Sequence, residues 1–338
     1  MTAHDLIDAA AGEGSAGIVR RDLRIDVAGH LPLEAGTTEL AATVVLAPAL
    51  VAERPTLLVC WPGGSYGRAY WDLRPTAASG YSAAEHWAQQ GYVVVVADHL
   101  GVADSDKPAD GDAVGVEVLA GAAHGLVEQL RRLAAAGELH DELSPVEDPR
   151  VVGVGHSLGG SVVITQQARH RSYDAVADIG YTHSAKAAVD ETMGRSQEDA
   201  RAVAVAQADQ FFGGTGESYG RPGKSDSRGW LYGPNDDAGV VDEDVDVLVV
   251  WPRGPYIEAL TPGLTIPIAA EFTGPLFLSF AEIDVPEAPR VEARFYSACP
   301  DITLFLVPDA AHCSNFSPSR HLLWDRIAAW ERSVASSV

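Results

Sequence analysis

The stretch 151-VVGVGHSLGG-160 sets two kinds of backbone side by side across a single serine. Val151 to Val154 is a short apolar, mostly β-branched run that reads as a strand buried on both faces, and Leu158 to Arg169 reads as the helix that follows it. Ser157 then lies on the sharp turn between them. A turn of this kind holds a non-glycine residue in a strained conformation that costs about 1 to 3 kcal/mol, and it brings neighbouring backbone very close. Gly155 and Gly159 stand at the two flanking positions where a Cβ would collide, and Gly160 gives the helix room against the sheet.

Outward from this turn, short apolar runs alternate with helical segments. The runs are Leu57 to Trp61, Tyr92 to Ala97, Val151 to Val154, Ala175 to Tyr181, Leu276 to Phe280 and Ile302 to Val307. SAAEHWAQQ and EVLAGAAHGLVEQLRRLAAAG fall between them, so the order is strand, helix, strand and predicts an α/β fold with a mostly parallel sheet and helices on both faces. Ile18 to Val27 and Leu40 to Leu46 predict an antiparallel pair that opens the sheet. In such sheets ligands bind beyond the carboxyl ends of the strands, and the residues just past each strand are therefore the candidates for chemistry. The interval from Tyr181 to Leu276, about ninety residues, far exceeds an ordinary crossover and predicts an inserted cap. The expected division is a mobile arm over residues 1–14, a core of residues 15–184 and 271–338, and a cap over residues 185–270.

The motif G-x-S-x-G over Gly155 to Gly159, set between a strand and a helix, resembles the nucleophile elbow of the α/β-hydrolase superfamily, and the resemblance extends over about residues 15 to 335. It implies that Ser157 is the nucleophile. A serine hydroxyl needs a base within hydrogen-bond reach and a third group to orient that base. His312 follows the last apolar run, ITLFLVP, where a superfamily member carries its base, and Asp284 in EIDVPEAP, after PLFLSFA, matches the acid. Glu282, two residues earlier, is the alternative acid. The chain order serine, acid, histidine is the order of the superfamily. The resemblance also implies two backbone donors for the developing oxyanion, one from Leu158 and one from the loop WPGGSYG that follows Trp61. Pro62 has no N–H, which leaves Gly63 or Gly64; Trp61 stands where relatives often have histidine.

Other residues at this edge are expected to line a pocket: Tyr66, His99, His183, Trp230, Trp251 and Tyr256. Asp98 and Asp104, in ADHLGVADSDKP, read as turn formers. No histidine pair has a metal-ligand spacing such as HxxxH, and neither a metal nor a cofactor is expected. Cys60, Cys299 and Cys313 are odd in number and form no CxxC pair, so a disulfide framework is not indicated. A net charge of -23, with lysine only at Lys107, Lys186 and Lys224, argues against nucleic acid or an anionic membrane as partner. With no signal-like or membrane-spanning run, the expected setting is the cytoplasm, and the apolar end of the cap is a surface that a homo-oligomer could bury.

The function implied is that of a serine hydrolase acting on a carboxylic ester or lactone through an acyl-enzyme, with a hydrophobic substrate. A macrocyclic lactone such as zearalenone is one candidate. The same residues suit a carbon–carbon bond hydrolase, a thioesterase, an acyltransferase or a perhydrolase, because the fold fixes machinery and not substrate. The non-enzymatic alternative is a ligand-binding receptor built on the same fold.

Overall fold

The computed structural model describes residues 17–31, 38–183, 197–221, 228–261, 263–286 and 288–336. The expected N-terminal arm and parts of the expected cap therefore lie outside the described residues. Runs of β-branched and small apolar side chains form strands because they fill a pleated surface covered on both sides. Eight of them make one sheet: β1 Val19–Asp26, β2 Glu39–Leu46, β3 Thr56–Trp61, β4 Val93–Ala97, β5 Arg150–His156, β6 Ala175–Ile179, β7 Pro275–Ile283 and β8 Asp301–Ala311. Their order across the sheet is β1-β2-β4-β3-β5-β6-β7-β8. β2 is antiparallel to both neighbours and the remaining neighbours pair in parallel. The opening antiparallel pair and the parallel sheet are as the sequence predicts.

The helices used below are α1 Ala83–Ala88, α2 Val116–Ala136, α3 Leu158–His170, α4 Gln197–Phe211, α5 Ala238–Glu243, α6 Gly254–Ala259, α7 Ile266–Glu271 and α8 Arg320–Ala335. Alternation along each strand sorts the core into two layers. Leu57, Val59, Trp61, Val93 and Val95 pack with Leu119, Leu126 and Val127 of α2 and Val162 and Val163 of α3. Leu58, Cys60, Val94 and Val96 pack with Ala84 and Trp87 of α1 and Leu323, Trp324 and Ile327 of α8. Central strand β5 is flanked by β3, with Trp61 opposite Gly155, and by β6, with Ile179 opposite His156. Ser157 thus leaves the sheet at its middle, past the carboxyl end of β5.

Between β6 and β7 the described chain contains α4 to α7 and a two-residue antiparallel ladder that joins Tyr219–Gly220 to Trp251–Pro252. α4 and α6 share a small apolar cluster of Ala204, Ala208 and Ile257. This insertion is laced to the loop between β4 and α2. Gly254 N–H donates to the Gly111 carbonyl (3.1 Å), and the Arg253 guanidinium spans Asp112 (2.9 Å) of that loop and Asp209 (3.1 Å) of α4. Glu258 accepts the Val116 N–H (2.6 Å) at the start of α2, where first-turn donors have no partner within the helix. Cys60, Cys299 and Cys313 form no disulfide, with Cys60 and Cys313 buried and Cys299 partly exposed. Among the described residues no helix is long and apolar enough to cross a membrane.

Candidate active site

Ser157 has φ 51° and ψ −120°, a conformation that only an over-determined turn sustains. The over-determination is steric. A Cβ on Gly155 would strike the Gly159 carbonyl, and one on Gly159 would strike the carbonyls of Trp61 and Pro62. Gly160 is pressed against Asp178 and lies 2.7 Å, by its would-be Cβ, from Tyr181 Cβ. Backbone bonds secure the turn: Ser157 N–H donates to the Ile179 carbonyl (2.8 Å), and Gly160 N–H to the Ser157 carbonyl (2.7 Å). The serine hydroxyl makes no hydrogen bond to a described residue.

His312 directly follows β8. Its Nδ1 lies 2.6 Å from Asp284 Oδ1, and both side chains are almost fully buried. Asp284 also accepts from Ala281 N–H (2.8 Å) and Val285 N–H (2.8 Å), so three donors fix its orientation. Of the two acids, Asp284 is the one that pairs with His312. Glu282 is exposed and turned away, accepting the Asp309 N–H at 2.9 Å. The His312 carbonyl accepts from His156 Nε2 (2.9 Å), which ties it to the residue before Ser157, and the two imidazoles lie 4.9 Å apart between centroids. Gly180, with φ +75°, runs against the pair, and a Cβ there would fall 3.1 Å from His312 Cε1 and 3.2 Å from Nδ1.

The loop after β3 supplies the glycines. A Cβ on Gly63 would lie 3.1 Å from Ser157 Cβ, and one on Gly64 would lie 2.9 Å from Leu158 Cδ1 and against Tyr256 Oη. Gly63 is the one pressed against the serine itself. The N–H groups of Gly63, Gly64 and Leu158 have no acceptor among the described residues. His99 holds this loop in place: its Nε2 is 3.0 Å from the Pro62 carbonyl, and its ring stacks on Trp61 at 5.0 Å. Burial lowers its pKa to about 4, so the ring is neutral at pH 7 and donates through Nε2. Asp98 accepts the Arg68 N–H (2.6 Å) and pairs with the Arg68 guanidinium, which also reaches Asp104 (2.9 Å). These two aspartates thus anchor the far end of the loop, beyond the turn-forming part predicted for them.

The six residues expected to line a pocket divide. Tyr66, His99, His183 and Trp251 are buried and engaged by protein groups. His183 has Thr265 Oγ1 at 2.7 Å on Nδ1 and Tyr296 Oη at 3.0 Å on Nε2, and burial lowers its pKa to about 4. Trp251 donates its indole N–H to the Tyr66 carbonyl (2.8 Å). Trp230 remains 38% exposed with its ring 5.0 Å from that of His312, and its carbonyl accepts the His312 N–H (3.2 Å). Tyr256 meets Ser65 Oγ through its hydroxyl (3.1 Å) beside Gly64. Sequence reasoning missed Asp244 and Tyr232. Asp244 accepts from Tyr66 Oη, 178 residues away in the chain, and no local motif announces so distant a pairing.

The sequence matches the alpha/beta hydrolase family over residues 58–321. The chain belongs to that family. No curated protein matches it. Solved structures share the fold at low identity: a thermophilic esterase from Thermogutta terrifontis, malate bound (TM-score 0.57, 18% identity, 93% of this chain and 99% of that one), is one. A proline iminopeptidase from Mycobacterium smegmatis (TM-score 0.57, 15%, 94% and 99%) and a bromoperoxidase from Bacillus anthracis (TM-score 0.55, 15%, 92% and 98%) are others. An alpha/beta hydrolase fold that serves such different reactions leaves the chemistry to be argued from this chain's own residues.

Proposed function

We propose that the protein is a serine hydrolase of carboxylic esters or lactones, working through an acyl-enzyme. The observation that carries this reading is the buried His312–Asp284 pair (2.6 Å), whose histidine carbonyl is tied to His156, next to a strained and unpartnered Ser157. Asp284 on Nδ1 leaves Nε2 as the ring nitrogen that takes the Ser157 proton as Oγ attacks the acyl carbon. The oxyanion is received by the N–H groups of Leu158 and Gly63, preferred to Gly64 because it abuts the serine. Each such donor contributes about 3 kcal/mol of barrier lowering. The imidazolium returns its proton to the departing alkoxide. Water, deprotonated by His312, then cleaves the acyl-serine and regenerates Ser157.

The insertion, taken as residues 185–270, acts in this reading as the cap, and the exposed indole of Trp230 beside His312 supports a hydrophobic substrate. The test is product formation from small aryl esters, long-chain esters and hydrophobic lactones, zearalenone among them, by the wild type and Ser157→Ala. Turnover of one class is expected to fall by roughly four orders of magnitude or more in the folded variant. Undiminished turnover in Ser157→Ala overturns the proposal.

A further inference from the structure

Asp244 is buried in the insertion, 4% exposed, and its carboxylate is held by two phenols, one from the turn after β3 and one from the insertion itself. Tyr66 donates to Oδ1 at 2.7 Å and Tyr232 donates to Oδ2, with 3.2 Å between the two hydroxyls. Tyr66 closes the turn that begins at Gly63, through Tyr66 N–H to the Gly63 carbonyl (3.2 Å). Tyr232 follows Trp230 and Leu231, whose carbonyls accept the N–H groups of His312 (3.2 Å) and Cys313 (2.9 Å). The same insertion grips the Gly63–Tyr66 turn three times more, through Val249 N–H to the Ser65 carbonyl (2.9 Å), Trp251 Nε1 to the Tyr66 carbonyl (2.8 Å) and the Tyr256 hydroxyl with Ser65 Oγ (3.1 Å).

We propose that Asp244 is a positioning residue that locks the loop carrying Gly63 to the loop carrying His312, through Tyr66 and Tyr232. The inference rests on the serine hydrolase reading above. A buried carboxylate strongly disfavours losing a donor, so a shift of either loop strands a charged oxygen away from water. Burial raises the pKa of both phenols, so they remain donors across the working pH range. The link fixes the distance between the group that removes the serine proton and the group that receives the oxyanion, and the effect falls on the chemical step rather than on ground-state binding.

The test uses an alkyl fluorophosphonate, whose attack by Ser157 needs both the base and the oxyanion donors, with kinact and KI measured separately. Tyr66→Phe keeps the ring, which packs 4.7 Å from Tyr70, and removes only the hydroxyl; Asp244→Asn removes the charge. Tyr92→Phe is the control, because it deletes a comparable phenol–carboxylate bond, to Glu331 at 2.9 Å, beneath α8. Tyr66→Phe and Asp244→Asn are expected to lower kinact at least about tenfold with KI unchanged, while Tyr92→Phe leaves kinact at the wild-type value. Tyr66→Phe also removes a direct 3.5 Å contact of the hydroxyl with Cys313 Sγ, so if Asp244→Asn does not fold, Tyr232→Phe, which deletes the other phenol on Asp244, must lower kinact as well. The inference is overturned if Tyr66→Phe labels at the wild-type rate, or if Tyr92→Phe slows labelling as much. A wild type that is never labelled brings down the serine hydrolase reading first, and this inference with it.

Discussion

Gly180 occupies a left-handed conformation directly against the His312 ring, and a methyl there would meet the imidazole at 3.1 to 3.2 Å. The Gly180→Ala variant carries two penalties, one in its own backbone and one in the histidine that must move aside. On the proposed mechanism, turnover is expected to fall at least about tenfold, because displacing His312 disturbs a near-attack geometry, while the melting temperature drops by only a few degrees. Kinetics and a thermal melt of the same sample check both. Residues of this kind mark the boundary of what the sequence tells. The placement of Ser157, His312 and Asp284 just past strand ends was legible, because strand ends are visible in apolar runs. The choice of Asp284 over Glu282 was not, since a two-residue difference at the end of β7 depends on which side chain turns inward. Nor were the buried roles of His99 and His183, because polarity at a strand end looks the same whether it faces a ligand or the Pro62 carbonyl.

At the scale of elements, the sheet was readable nearly strand by strand. A parallel strand covered on both faces leaves a continuous apolar signature, as in VVVVA of β4. The insertion left no such signature, since its short helices dock through scattered polar contacts. Arg253 is the chief of these, buried between Asp112 and Asp209. Arg253→Ala takes this partner from Asp112 and Asp209, both of which keep contact with solvent, and it removes the tie between α4 and the loop before α2. Hydrogen exchange is expected to quicken by about one to two orders of magnitude in Gln197–Phe211 and Gly254–Ala259, with β4 and β5 still protected. Equal quickening in the central strands would instead mean that the insertion and sheet open as one unit.

For the whole molecule, buried titratable groups set how stability responds to pH. His99 and His183 ionise near pH 6.5 when unfolded and near pH 4 when folded. Their depressed folded values mean that the unfolded chain binds protons first as pH falls, so each histidine withdraws stability from about pH 6.5 downward, until the folded state also protonates. By pH 5 the loss is about 2 kcal/mol for each. Asp178, whose pKa burial raises well above the usual carboxylate value, acts in the opposite sense over that interval, so the histidine effect is measured as a difference. The stability advantage of wild type over His183→Gln, from urea unfolding, is expected to shrink by about 2 kcal/mol between pH 7 and pH 5. The strand order has a consequence for biosynthesis. β3 takes its place between β4 and β5, both made after it, and Asp284 and His312 arrive only with the two strands at the far edge. A ribosome adding about 5 to 20 residues per second exposes Ser157 many seconds before its histidine exists. On the serine hydrolase reading, the nascent chain therefore lacks its base and acid while it grows, and it gains them only as the sheet's last edge is laid down.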